Sequence, residues 1–207
     1  MENAQGPGGH PELQEVVASS QRDGFAKLVS GDFAAWARIW MPDKAANSVS
    51  AQDRFRLLWN QCGMRATFLY RISFALKRAH VPVLPGIVSR LNLCLYGFDV
   101  PASVEIGAGL YVPHPVGTVV MASRIGCNVS LISSITIGMR NEHIFPTIGN
   151  NVFIGAGARV LGAITIGDGA SIGANAVVVS DVPSGRTAVG VPAKLLPLKK
   201  EQAPAEA

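Results

Sequence analysis

From Ile148 onward the chain repeats itself every six residues. Ile148, Ile154, Val160, Ile166, Ile172 and Val178 each open the pattern aliphatic–small–polar–polar–small–any, seen in IGNNVF, IGAGAR, VLGAIT, IGDGAS and IGANAV. Four positions after each leading aliphatic stands Val152, Ala158, Ile164, Ala170, Ala176 or Val182, so a second position is also held to small or apolar types. A strict six-residue repeat predicts a mainly β chain, a parallel β-helix in which three short strands make one triangular coil.

The phase runs backwards through Ile137, Leu131 and Ile125, and again through Val112, Ile106 and Val100. Two steps are out of register. Val112 to Ile125 is thirteen residues instead of twelve, and Ile137 to Ile148 is eleven instead of six. Surplus residues cannot stay in a stacked coil and must bulge or loop outwards. The first break holds PHPVG with His114, and the second holds MRNEHIFPT with His143. Both histidines of the repeat region fall at its interruptions, which a purely structural histidine has no reason to do.

Charged residues make up 15% of the chain and hydrophobic types 48%, an apolar balance that a stacked coil partly explains. The net charge of +4 suits an anionic ligand, yet no Lys/Arg run resembles a nucleic-acid patch. Cys62, Cys94 and Cys127 are odd in number and contain no CxxC, which points to a reducing cytoplasm. The first twenty residues lack an apolar core, so no signal peptide is expected.

The Gly/Pro-rich residues 1–12 and the tail KKEQAPAEA read as disordered. A helix is expected over 25–40, stopped by Pro42 and interrupted at Ser30-Gly31-Asp32. Residues 44–53 read as a linker. Further helices are expected over 53–62 and 64–80, the latter with an apolar stripe of Phe68, Leu69, Ile72, Ala75 and Leu76, and over 87–96 after Pro82 and Pro85. The chain thus divides into a leader, partly helical or disordered (1–49), a helical segment (50–98), the coil (99–188) and a C-terminal extension (189–207). The apolar runs 68–76 and 84–95 carry Arg71, Lys77, Arg78 and Arg90 among them and are too short to span a bilayer. Two uses stay open for them: packing on the coil or on neighbouring subunits, or peripheral membrane contact as interfacial helices.

Residues 99–196 resemble the C-terminal catalytic domain of serine O-acetyltransferases, in the hexapeptide-repeat acyltransferase superfamily. The matching stretches are GFDVPASVEIGAGLYVPHPVGTVV, SLISSITIG, PTIGNNVFIGAGARVLGAITIGDGASIGANAVVV and DVPSGRTAVGVPAKLL, with both breaks in corresponding places. The helical segment is more similar to the short leader of exopolysaccharide-associated members. The resemblance implies a left-handed coil, a homotrimer with active sites in clefts between subunits, and acetyl-CoA as donor.

Acetyl transfer from a thioester to a hydroxyl needs a base, and neutral imidazole suits it because it titrates near working pH. His114, stiffened by a proline on each side, is the candidate base. Asp99, fifteen residues earlier and close to one coil below, is its candidate orienting partner, with the spacing found in the resembled family. Gly138 and Met139 match the family's position for backbone oxyanion donors. Ala156 and Ala174, eighteen residues apart and each after an Ile-Gly pair, match its alanines along the pantetheine arm of CoA. Lys194 and Arg159 are candidates for the CoA phosphates. His143 and Arg140 are candidates for the acceptor.

Serine-specific members place an aspartate directly before the base histidine and an arginine directly before the second histidine. Here those positions read Pro113 and Glu142. Loss of both ionic grips favours a neutral polyol, so the expected acceptor is a saccharide of exopolysaccharide or surface polysaccharide. O-acetylation of L-serine is the alternative and a non-catalytic trimeric scaffold a second. Hexapeptide-repeat carbonic anhydrases hold zinc with three histidines, whereas this coil supplies only two, so no metal is expected.

Overall fold

The computed structural model describes residues 23–43, 49–141 and 143–197. The expectations for residues 1–12, for 44–48 of the linker, for Glu142 and for the tail from 198 lie outside them.

Every leading aliphatic of the repeat is buried, as is every residue four positions further on. The period-six pattern therefore has a direct cause: these are the side chains that fill the prism. Each fully buried Ile or Val contributes about 1.5–3 kcal/mol by leaving water. Three stacks of strands form its faces. The first runs β1 (Phe98–Asp99), β2 (Thr118–Val120), β5 (Thr136–Gly138), β8 (Arg159–Leu161) and β11 (Val177–Val178), all parallel. The second runs β4 (Ser130–Leu131), β7 (Phe153–Ile154), β10 (Ser171–Ile172) and β12 (Thr187–Val189), closed by an antiparallel β13 (Lys194–Leu195). The third holds β3 (Arg124–Ile125), β6 (Thr147–Ile148) and β9 (Thr165–Ile166).

The second break falls as expected, since the surplus between Ile137 and Ile148 leaves the prism between β5 and β6. The first break is finer than the sequence count. Tyr111 lies beside Ser130, which sets Val112 level with Leu131, and Val120 is level with Ile137. Eight residues thus cover a distance that six cover in the next coil, so the corner carries two extra residues. The following corner, from Val120 to Ile125, is one residue short, which leaves the net surplus of one.

Four helices precede the prism: α1 (Phe25–Trp40), α2 (Ala51–Asn60), α3 (Cys62–Arg78) and α4 (Leu84–Tyr96). α1 is unbroken. The Ser30-Gly31-Asp32 stretch, expected to interrupt it, is where the helix meets the first coil, Gly31 lying against Ala108. α2 begins earlier than expected because Ser50 and Asp53 form a capping box, each side chain bonding the other's backbone N–H. α4 also begins earlier, with Pro85 in its first turn, where a missing N–H costs nothing.

The expected apolar stripe of α3 is only half-buried. Its buried face is Gly63, Met64, Ala66, Thr67, Tyr70, Arg71, Ser73 and Phe74, which includes polar side chains that the hydropathy stripe leaves out. Ser73 bonds Pro85 and Ser89 of α4, while for Tyr70 and Arg71 the reason is the bottom of the prism. A first coil has backbone groups that a coil below would pair, and they need other partners. Arg71 donates to the carbonyls of Ile106 and Gly107, Tyr70 donates to that of Val104, and the Asp32 carboxylate accepts from Gly109 and Leu110 N–H. Three side chains thus stand in for the missing coil. Burial pushes the Asp32 carboxyl upward from its ordinary range, while Arg71 and the two amides pull against it.

Candidate active site at one corner of the prism

The corner between the second and first faces carries the expected base. His114 is paired in parallel register with Ser133. Leu131, Ile154 and Ile172 stack on one another, so the residues two positions beyond them stack as well. His114, Ser133, Ala156 and Ala174 therefore form one line up the corner. Steps of about 4.8 Å separate its members. The His114 side chain is exposed, Ala156 half-exposed and Ala174 exposed, so the line opens to solvent along its length.

The bulge that carries His114 is held from several sides. Pro115 is buried, and its carbonyl accepts from Thr118 N–H at 3.0 Å. Gly117 donates to the carbonyl of Gly97, the left-handed residue that ends α4. Beneath it, α3 approaches so closely that a Cβ on Gly63 would overlap the Val112 carbonyl oxygen. Trp36 meets Tyr111 edge-on, ring centroids 4.7 Å apart. The helical segment thus braces the backbone on which the base sits, a role that no motif in the sequence announced.

Asp99 lies half-buried on the outer side of the first face, with Val119 directly above it. His114 is the corner that leads up to Val119. No hydrogen bond joins the two side chains within the single chain. Gly138 ends β5 at the far edge of the same face, with open space over its Cα, and Met139, Arg140 and His143 beyond it are exposed. Arg140 sits over Gly162. Five residues separate Ser133, in the His114 line, from Gly138, on the order of 15 Å of extended chain. One chain therefore places its base and its second loop at opposite edges of one face.

Arg159 turns one guanidinium nitrogen back into the corner, donating to the carbonyls of Ser134, Gly157 and Ala158. Lys194 is exposed and pairs with Val189, the residue before Gly190 at the top of the corner line. A separate groove of about 470 Å³ runs along β3, β6 and β9, lined by Arg124, Thr147, Thr165, Asp168 and Asp181 among others. It contains none of the expected site residues.

Residues 145–180 match the model of the bacterial transferase hexapeptide (six repeats) family. The chain is 37% identical over 151 residues to the serine acetyltransferase of Helicobacter pylori (strain J99 / ATCC 700824), covering 71% of this chain and 88% of that protein. The chain belongs to the serine acetyltransferase family. It is accordingly an acyltransferase, and its prism is the left-handed parallel β-helix. Among solved serine acetyltransferases, the soybean enzyme complexed with serine superposes with a TM-score of 0.72 at 33% identity, over 89% of this chain and 75% of that one. A serine acetyltransferase in complex with CoA superposes with a TM-score of 0.71 at 28% identity, over 89% and 75% respectively. Membership in a family of enzymes sets the scaffold reading aside.

Proposed function

We propose that the chain transfers the acetyl group of acetyl-CoA to the hydroxyl of L-serine, with His114 as general base. The observation that carries the transfer chemistry is the corner line: an exposed imidazole, rigidly mounted, with a path of small side chains rising from it towards Lys194. Acetyl-CoA lies along that path, its pantetheine arm against Ala156 and Ala174 and its phosphates near Lys194. Arg159, with one nitrogen tied to the corner, offers its remaining donors. His114 takes the acceptor's proton as its oxygen attacks the thioester carbon. The oxyanion is held by backbone N–H near Gly138 and Met139, and collapse expels the CoA thiolate, which recovers the proton from the imidazolium.

Because base and second loop sit at opposite edges of one face, the complete site is formed where the corner of one subunit meets the loop of the next. A homotrimer supplies three such junctions, and Asp99, unbonded within the chain, is placed to orient His114 in that assembly. Likeness over most of the length of a serine acetyltransferase supports serine as the acceptor over the saccharide expected on sequence. A cytoplasmic setting accords with the free cysteines.

A second reading, O-acetylation of a saccharide unit in polysaccharide synthesis, is favoured by Pro113, which stands where a carboxylate would hold the serine ammonium. Thiol release from acetyl-CoA with serine, homoserine and sugar acceptors decides between them. Serine-dependent release is expected. Release with sugars alone would assign the second reading.

A further inference from the structure

α4 presents an apolar surface to solvent on the side opposite its contact with the rest of the chain. Its buried residues are Pro85 and Asn92. Ile87, Leu91 and Leu95 fall on the opposite arc at helical spacing and are 54%, 46% and 59% exposed. Val83 and Leu84 extend the surface, Leu93 is exposed on the other flank of the helix, and Arg90 is the one charge on the helix. An exposed apolar helix face of this extent marks a surface for protein or membrane contact. The helix has 13 residues, about 20 Å of length, which is too short to cross a bilayer. Among the described residues no helix is long and apolar enough to do so.

The exposed charges of the segment that carries this surface have one sign. From residue 49 to 98 the one carboxylate is Asp53, buried in the cap of α2. Arg54, Arg56, Lys77 and Arg90 are exposed in the same stretch. Arg65 connects the two ends of the patch: it donates to the carbonyls of Leu58 and Trp59 and lies over the Tyr96 ring at the end of α4. Trp59 is 73% exposed and stacked on Phe55, which adds two aromatic rings of the kind that settle at a bilayer surface. A second copy docking here about a two-fold axis would set Arg90 against itself, with no exposed carboxylate in the segment to pair it. An anionic surface meets no such repulsion.

We propose that α4, flanked by Phe55 and Trp59, lies in the surface of an anionic phospholipid bilayer. The test is flotation of the full chain with phosphatidylcholine vesicles containing or lacking phosphatidylglycerol. The wild type is expected on the anionic vesicles only, less so as salt is raised. Ile87→Gln with Leu91→Gln is expected to lower that partition about tenfold or more with unchanged far-ultraviolet circular dichroism, because two aliphatic side chains leave the bilayer. Arg90→Glu is expected to weaken it as well. Absence from anionic vesicles, equal binding to neutral ones, or full binding by the double variant each overturns the proposal. So does a fall in assembly mass of the double variant by light scattering, which would show a second copy on this face.

Discussion

Asp32 and Arg71 meet side-on beneath the first coil: Arg71 Nε is 2.7 Å from one carboxylate oxygen and Nη2 2.9 Å from the other, and neither side chain reaches solvent. A buried pair of this kind gives little net stability in isolation but is expensive to break, because the partner left behind is an uncompensated charge. Arg71→Met is therefore expected to cost about 3–5 kcal/mol in urea unfolding. Replacing Asp32 by Leu as well removes the orphaned charge but not the problem, since the N–H groups of Gly109 and Leu110 and the carbonyls of Ile106 and Gly107 would all lose their side-chain partners. The double variant should stay well below wild type. Recovery to wild-type stability would show that these backbone bonds contribute nothing.

His114→Ala should lower thiol release from acetyl-CoA about 10²–10⁴-fold. Because the side chain is exposed and makes no hydrogen bond, the unfolding midpoint should not move. Retained turnover would remove His114 from the mechanism.

Gly63→Ala tests the brace under the base. An added methyl overlaps the Val112 carbonyl, two residues before His114, so either α3 or the bulge must shift. A stability cost of about 1–3 kcal/mol is expected, together with a fall in kcat at unchanged KM for acetyl-CoA. A variant as active as wild type would show that the bulge tolerates the displacement.

Ala174→Leu places a larger side chain on the exposed corner line. It should raise KM for acetyl-CoA several-fold and leave stability within about 0.5 kcal/mol, the usual range for a surface change. An unchanged KM would move the pantetheine path elsewhere.

The prism was legible because its cause is repetitive: one aliphatic per face per coil writes a period that few folds share. The surplus at the second break could be counted directly. The first could not, because two extra residues at one corner and one missing at the next leave the same net phase. The helical segment was least legible where polar side chains serve the prism. Arg71 faces inward because bare backbone waits there, whereas its charge alone would have set it outward. Asp32 read as a helix breaker for the same reason. The alignment of Ala156 with Ala174 followed from their eighteen-residue spacing, whereas the place of His114 and Ser133 in the same line needed the strand register. That the base and the second loop stand at opposite edges of one face did not follow from spacing, because that separation depends on which strand each break follows.

At the other end of the prism, β13 reverses direction against β12, while Gly190 and Ala193 take the remaining hydrogen bonds of Val177. Without that turn-back, the last rung would offer open strands in the register of the next coil, the condition that lets sheets recruit further molecules. A chain ending at Gly190 would keep every group assigned to acetyl transfer except Lys194, yet expose a growing tip. Those last few residues therefore close the prism by pairing the backbone of its uppermost strands.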